Sequence, residues 1–347
     1  MDDLYESRQH QNGRSLFGPI FLIGLGIYFL LRNLGVVSDL NWGLALQLWP
    51  LLLIFLGLNI IVRQVRRPFG TFLSGIVSLA AIGVFGAVLL FGAELPFLSS
   101  FNLQTTVEYR QETVSVSSDD VETAVVSFDL GALGANVTGL EDSPNVLEGS
   151  LAVAGDLDFR ERMQGSEVIV SLGENQSGWW FGNFVSEVAQ SPWQIGLSRI
   201  TPMNLAVDVG SGQTDLALGS LLLSDLFVDM GSGAVNVQLP GGDYDVRLDG
   251  GSGKLVMTLP VNGRHEIEID GSSGAMSLFL PPNMEARVEV DSGSGLVSLG
   301  DRFERLSGDE NDGVWQTPNY SADSGNNILI RLDGGSGSFS IEQQTGR

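Results

Sequence analysis

The sequence predicts an all-β solenoid, a single-stranded β-helix with a repeat of ~21 residues, preceded by an α-helical membrane domain of three transmembrane helices. Two observations carry this. An aspartate followed by a Gly/Ser corner recurs at Asp208, Asp229, Asp249, Asp270, Asp291 and Asp333, in steps of 21, 20, 21, 21 and then 42 residues. Ahead of it lie three long apolar stretches, and charge is divided accordingly: residues 1–99 sum to +1, so the total of −23 leaves −24 for residues 100–347.

Residues 1–15 are polar and expected in the cytoplasm. Membrane spans are expected at about 16–34, 43–62 and 69–93, each long enough to cross ~30 Å of hydrocarbon at ~1.5 Å per residue. No small-x-small cleavage site precedes the second and third, which argues against a cleaved signal peptide. Arg8 and Arg14 before the first span, and Arg63, Arg66 and Arg67 between the second and third, mark both segments as cytoplasmic and put the acidic C-terminal part outside; the single Arg32 opposes this weakly. Trp42 and Trp49 suit an aromatic belt at the outer end of the second span. No Asp, Glu, Lys or His falls within a span, which argues against an ion pathway.

The run Leu16-Phe17-Gly18-Pro19-Ile20-Phe21-Leu22-Ile23-Gly24, the phrase Leu30-Leu31-Arg32-Asn33-Leu34-Gly35 and the span Leu48-Trp49-Pro50 through Leu56-Gly57 resemble the membrane region of LiaI/LiaF-like bacterial envelope-stress proteins. The Trp-Pro that opens a Leu-rich span is the most specific part.

Residues 94–203 form a linker and a first β block. Period-two alternation predicts strands at 107–116, 123–130, 146–154, 168–172 and 193–197, and the phrase from Val126 to Gly131 is a looser copy of the later corner. The aromatic cluster Trp179, Trp180, Phe181 and Phe184 reads either as a partner-binding or interfacial loop or as a lid over an open end of the sheet.

Across 204–347 the repeats share one register. Apolar columns stand one and three residues before each aspartate, and six and eight after it; Pro240, Pro260 and Pro281 close the second strand. Successive rungs are expected to stack in sequence order. The corner glycines are expected to supply positive φ. Parity turns the aspartates outward, where each is expected to cap its own corner as an Asx-turn; a calcium column of Asp208, Asp229, Asp249, Asp270 and Asp291 is the weaker alternative. Residues 301–325 read as a degraded rung or a surface excursion, with Trp315 and Tyr320 as candidate partner contacts.

The segment Trp193-Gln194-Ile195-Gly196-Leu197, leading to Leu205-Ala206-Val207-Asp208-Val209-Gly210-Ser211-Gly212, and the strand Val237-Gln238-Leu239-Pro240 resemble the toast-rack β-solenoid domains found with LiaF-like membrane regions, an adhesin-like family tied to cell-wall-active antibiotic response.

Composition narrows the function classes. An acidic surface repels phosphate and excludes nucleic acid as a natural partner. There is no cysteine, His10 and His265 lie far apart in sequence, and every Gly-rich corner sits between strands rather than opening a helix. No catalytic group, cofactor or resident metal is expected, and the chain reads as no enzyme. The LiaF-like resemblance implies restraint of a membrane histidine kinase, so the reading is a membrane-anchored regulator or sensor of envelope stress working by protein contacts. Expected partners are the bilayer, a membrane histidine kinase or other envelope protein, and a second copy of the chain. The alternative is a surface-displayed, adhesin-like binding scaffold.

Overall fold

The computed structural model describes residues 49–63, 69–91, 109–175, 192–291, 295–309 and 312–344. The chain divides into a helical unit within its first 107 residues and a β unit that begins at residue 108.

The helical unit contains α1 (Trp49–Arg63) and α2 (Phe69–Phe91). Pro50 sits in the first turn of α1, where the missing N–H has no intrahelical partner to lose. The helices meet through polar side chains: Ser74 Oγ donates to Asn59 Oδ1 at 2.5 Å, Asn59 Nδ2 to Ser78 Oγ at 3.4 Å, and Ser78 Oγ back to the Ser74 carbonyl at 2.9 Å. Their outer surface is apolar, with Leu53, Ile54, Ile61, Phe69, Phe72 and Leu79 all exposed. Helices occupy parts of two of the three expected spans, 43–62 and 69–93. Two helices are seen, the expected span 16–34 lies outside the described residues, and so does Trp42. Among the described residues, no helix is long and apolar enough over its described side chains to cross a membrane.

The β unit opens with β1 (Arg110–Ser117), β2 (Thr123–Asp129), β3 (Ala135–Gly139), β4 (Asn145–Val153), β5 (Asp156–Gln164), β6 (Glu167–Asn175) and β7 (Trp193–Leu197). The five strands expected here are present within a few residues. β3 was too short to show in the pattern, and β5, Asp-Leu-Asp-Phe-Arg-Glu-Arg-Met-Gln, too polar; it lies at a sheet edge, where charge discourages further pairing. The repeats follow as strand pairs: β8 (Met203–Val209) with β9 (Thr214–Ala217), β10 (Leu223–Met230) with β11 (Ala234–Gln238), β12 (Tyr244–Asp249) with β13 (Lys254–Thr258), β14 (Arg264–Asp270) with β15 (Ala275–Leu280), and β16 (Glu285–Asp291) with β17 (Leu296–Leu299). Last come β18 (Glu304–Gly308), β19 (Asp312–Gln316), β20 (Asn327–Asp333) and β21 (Ser338–Gln343).

Each repeat gives its first strand to an eleven-stranded sheet and its second to a ten-stranded sheet. Like strands pair in parallel with matching registers, for example Leu226 with Leu205 and Val246, and Val237 with Leu216 and Met257. The expected columns form the core: Leu205, Leu226, Val246, Ile267, Val288 and Ile330 are all buried.

Stacking does not follow sequence order at either end, which corrects the expectation. At the C-terminal end, β20 lies between β14 and β16, and β21 between β15 and β17. Asp333 thus pairs with Asp270 on one side and Asp291 on the other. At the N-terminal end, β2 lies between β6 and β8, and β3 between β7 and β9. The rung that is first or last in sequence therefore stands second from its end. Residues 301–325 account for the 42-residue step as an excursion rather than a degraded rung: β18 and β19 form an antiparallel hairpin that continues the eleven-stranded sheet beyond β16.

The corners also differ from expectation. Gly210, Gly212, Gly231, Gly233, Gly253 and Gly274 do not have positive φ; among the described Gly/Ser corners of 210–337, only Gly334 and Gly335 do. Close approach is the reason for glycine there. A Cβ on Gly233 would lie 2.0 Å from the Gly212 carbonyl oxygen, and one on Gly274 1.7 Å from that of Gly253. Corner N–H groups bond to the corner of the neighbouring rung, as Ser232 N to Gly210 O at 3.1 Å and Ser252 N to Gly231 O at 3.0 Å. The backbone therefore satisfies itself across rungs and the aspartate side chains are not needed as caps.

Candidate functional site

Three surfaces on the β unit are candidates. The first is the aspartate ladder on the outer face of the eleven-stranded sheet. Asp129, Asp208, Asp229, Asp249, Asp270, Asp333 and Asp291 are consecutive register partners, and Asp312 follows Asp291 across an antiparallel pair. The carboxylates stand one strand spacing apart, ~4.8 Å. Among the described residues none of them makes a side-chain hydrogen bond or ion pair, so the Asx-turn expectation fails for the reason just given. Burial, followed by the charges of Asp229 and Asp129, raises the Asp208 pKa above the usual carboxylate value. Among the described residues no group of three or more His, Cys, Asp or Glu has the geometry of a metal site. In the later rungs, compensating charges stand two or four positions before the aspartates: Arg247 faces Glu268 at 3.4 Å, and Arg331 pairs with Glu266, Glu268 and Glu289.

The second surface is the C-terminal excursion. Trp315, expected as a partner contact, is 9% exposed and belongs to the core, where β19 sets it between Val288 of β16 and Arg305 of β18. Tyr320 is half-buried in the following turn, its N–H donating to the Thr317 carbonyl at 3.1 Å, and burial raises its hydroxyl pKa. Arg302 braces the nearby corner, donating to the carbonyls of Pro281 at 3.0 Å and Met284 at 2.7 Å. The aromatic cluster of Trp179, Trp180, Phe181 and Phe184 lies outside the described residues.

The third surface, which sequence reasoning missed, is an open groove of about 530 Å³ on the outer face of the ten-stranded sheet, across β1, β4, β7 and β3. Register sets Thr113, Ser150, Gln194 and Asn136 in one row and Ser115, Glu148, Gly196 and Thr138 in the next. The Glu148 carboxylate is held in place: its Oε1 accepts from Ser143 Oγ at 2.5 Å and from Asn145 Nδ2 at 2.8 Å, and these bonds lower its pKa. Gly196 has no side chain because Leu140 lies over it; a Cβ there would meet Leu140 Cδ2 at 2.3 Å. Alternation makes each of these residues point outward, but only the cross-strand register of four strands distant in sequence brings them together.

Inside the stack, His265 is buried edge-on to Tyr244, with ring centroids 4.7 Å apart. Its Nε2 lies 3.0 Å from the Asn262 carbonyl while Nδ1 has no partner, and burial lowers its pKa. The Tyr244 hydroxyl donates to the Pro240 carbonyl at 2.8 Å. Both residues fill corner positions of the core and neither reaches a surface.

Residues 16–61 match the family model of the LiaI-LiaF-like transmembrane region, and residues 105–259 that of the N-terminal domain of toast-rack proteins. Among curated proteins none matches the chain. Similar solved structures include a candidate cell adhesion protein from Clostridium sporogenes, 16% identical, covering 68% of this chain and 100% of that one with a TM-score of 0.48. A candidate lipid-binding protein from Parabacteroides distasonis is 12% identical over 69% and 95% of the two chains, TM-score 0.31. A candidate adhesin from Bacteroides fragilis is 8% identical over 70% and 100%, TM-score 0.24.

Proposed function

We propose that this chain, which joins a LiaI-LiaF-like transmembrane region to a toast-rack domain, is a non-enzymatic, multi-pass membrane protein of the cell envelope. Its β domain is a β-solenoid facing the extracytoplasmic side, and the chain regulates or senses envelope stress by contacting a membrane histidine kinase. The helix pair carries this reading. A soluble pair of helices turns apolar groups inward, whereas α1 and α2 expose large aliphatic and aromatic side chains and turn Asn59, Ser74 and Ser78 toward each other. That inside-out arrangement is what hydrocarbon favours, since polar side chains there must find partners within the protein. Three helices through 16–34, 43–62 and 69–93 would place the charge-rich domain outside by the arginine distribution. Mild crosslinking in cells followed by purification of the tagged chain tests the partner, and recovery of a histidine kinase is the expected result. Protease shaving of intact cells tests the side: cleavage within the β domain is expected, and full protection would reverse the topology.

The surface-displayed binding scaffold is the second reading, favoured by the groove on the ten-stranded sheet. Recovery of no kinase, with cell-surface binding intact, would decide for it.

A further inference from the structure

We propose that the groove across β1, β4, β7 and β3 is a binding site for neutral, polyhydroxylated ligands, that is, oligosaccharides. Its biological setting rests on extracytoplasmic display; its chemistry does not. The groove is open along its length, with a volume of about 530 Å³. The groups that line it define the ligand. Thr113, Ser115, Ser150 and Thr138 present exposed hydroxyls that have no hydrogen bond to the described residues of the chain, and the half-buried Asn136 adds an amide that likewise bonds to none of them. Each hydroxyl both donates and accepts, and the amide does the same through two atoms. Such a surface matches a ligand whose own groups are hydroxyls, because either partner can supply the proton.

One charge sharpens the choice. Glu148 has one carboxylate oxygen committed to Ser143 and Asn145, which fixes the group and leaves its other oxygen to accept from the ligand. A carboxylate oriented in advance loses little rotamer freedom on binding, and bonds to a charged acceptor are the stronger kind. No Lys or Arg lines the groove, so anionic sugars, phosphates and nucleotides lack a counter-charge and face the Glu148 charge instead. Leu140, folded across Gly196, supplies an apolar patch suited to sugar C–H groups. An open groove of this kind buries little of its ligand, so a single site is expected to bind weakly. Useful retention would then come from a polymeric ligand engaged by several chains.

The test uses the full chain in lipid nanodiscs, because sugar-headed detergents would compete. Maltotriose and N,N′,N″-triacetylchitotriose are titrated by saturation-transfer NMR and calorimetry, with glucose 6-phosphate as the anionic comparison. Saturable binding of at least one neutral trisaccharide is expected, with weaker binding of the phosphate. Glu148→Gln combined with Thr113→Val should weaken it about tenfold or more. Ser277→Ala, on the same face but far along the stack, should leave it unchanged. Melting curves of the variants confirm that they fold; Ser150→Trp, which fills the groove from an exposed position, is a second blocking variant that spares the Glu148 network. No saturable binding up to the solubility limit, or binding that survives both blocking variants, overturns the proposal. Failure of the protease test would reverse the display reading while leaving this binding intact, so the two can fail separately.

Discussion

The middle of the β unit and its two ends are built from the same repeat yet stacked by different rules. From β8 to β15 the rungs follow one another in sequence order. At each end a rung from elsewhere is inserted, β2 with β3 on one side and β20 with β21 on the other. The inner columns cannot cause this difference, since Ile267, Ile330 and Val288 are interchangeable aliphatic side chains in one register. The outer face can. Stacked in sequence, Glu268 would lie against Glu289; the inserted rung puts Arg331 between them, within reach of both. Exposed pairs contribute little each, ~0.2–1 kcal/mol, but here they separate two arrangements whose cores are otherwise equivalent. The connection from β15 to β16, Pro281–Met284, passes the inserted rung while crossing between the sheets, and Arg302 donates to the carbonyls at both its ends. Insertion gives each terminal rung two parallel neighbours, and three of the four outermost rung strands, β7, β6 and β16, are met by the antiparallel strands β4, β5 and β19, while β17 is left as a sheet edge.

The sharpest break of this comparison is a crosslinking contrast, which the absence of native cysteine makes clean. Ser277 and Ser340 are register partners with hydroxyls 3.2 Å apart, whereas Ser277 and Ser298 are separated by the inserted strand. Ser277→Cys with Ser340→Cys should form a disulfide almost completely, and Ser277→Cys with Ser298→Cys should not. The reverse outcome would restore sequence-order stacking.

Core truncation comes next. Ile330→Ala in the inserted rung and Leu226→Ala in the middle should each cost about 2–5 kcal/mol in denaturant unfolding, because both side chains are fully buried. A much smaller loss at Ile330 would mean that the inserted rung is held loosely. Corners should separate the regions as well. Gly233→Val drives a side chain into the Gly212 carbonyl and should cost about 3 kcal/mol or more, while Gly334→Ala, with φ of +68° and no atom nearer than 4.0 Å, should show only the ~1–2 kcal/mol of left-handed backbone strain.

Thr214 occupies the inner column shared with Val235 and Leu255, yet its buried hydroxyl has no partner. Thr214→Val, nearly isosteric, should stabilise by about 1 kcal/mol, read as a higher melting temperature. The smallest effect is on pH. His265 is depressed by burial against Tyr244, with Asp243 and Asp245 opposing, so the folded state holds it neutral. Its contribution is complete above the ordinary histidine pKa of ~6.5 and declines as pH falls through that value toward the lower folded one. Asp208, raised in the folded state, works in the opposite sense, its contribution being lost as pH rises through its folded pKa. The melting temperature should therefore drop as pH falls from neutral through the ordinary histidine value of ~6.5, and His265→Phe should flatten that drop.

Some of this was legible in the residues. Two-residue alternation around each aspartate determines which side chains are inside, because a strand's faces alternate whatever it pairs with. The repeat length fixes two strands and two corners per rung, and Trp-Pro before a Leu-rich run marks α1. Which rung lies beside which was decided only by the tertiary structure. Every rung offers the same aliphatic edge, so local pattern leaves the partner open, and the answer comes from charges such as Arg331, which act across the chain. The same holds for the corner glycines, whose reason is a neighbouring backbone rather than their own φ, and for the groove, where Glu148, Thr113 and Thr138 meet only once three distant strands and β7 share a register. Parity is a local property and pairing a global one, and this chain's alternation encodes the first while its scattered charges select the second.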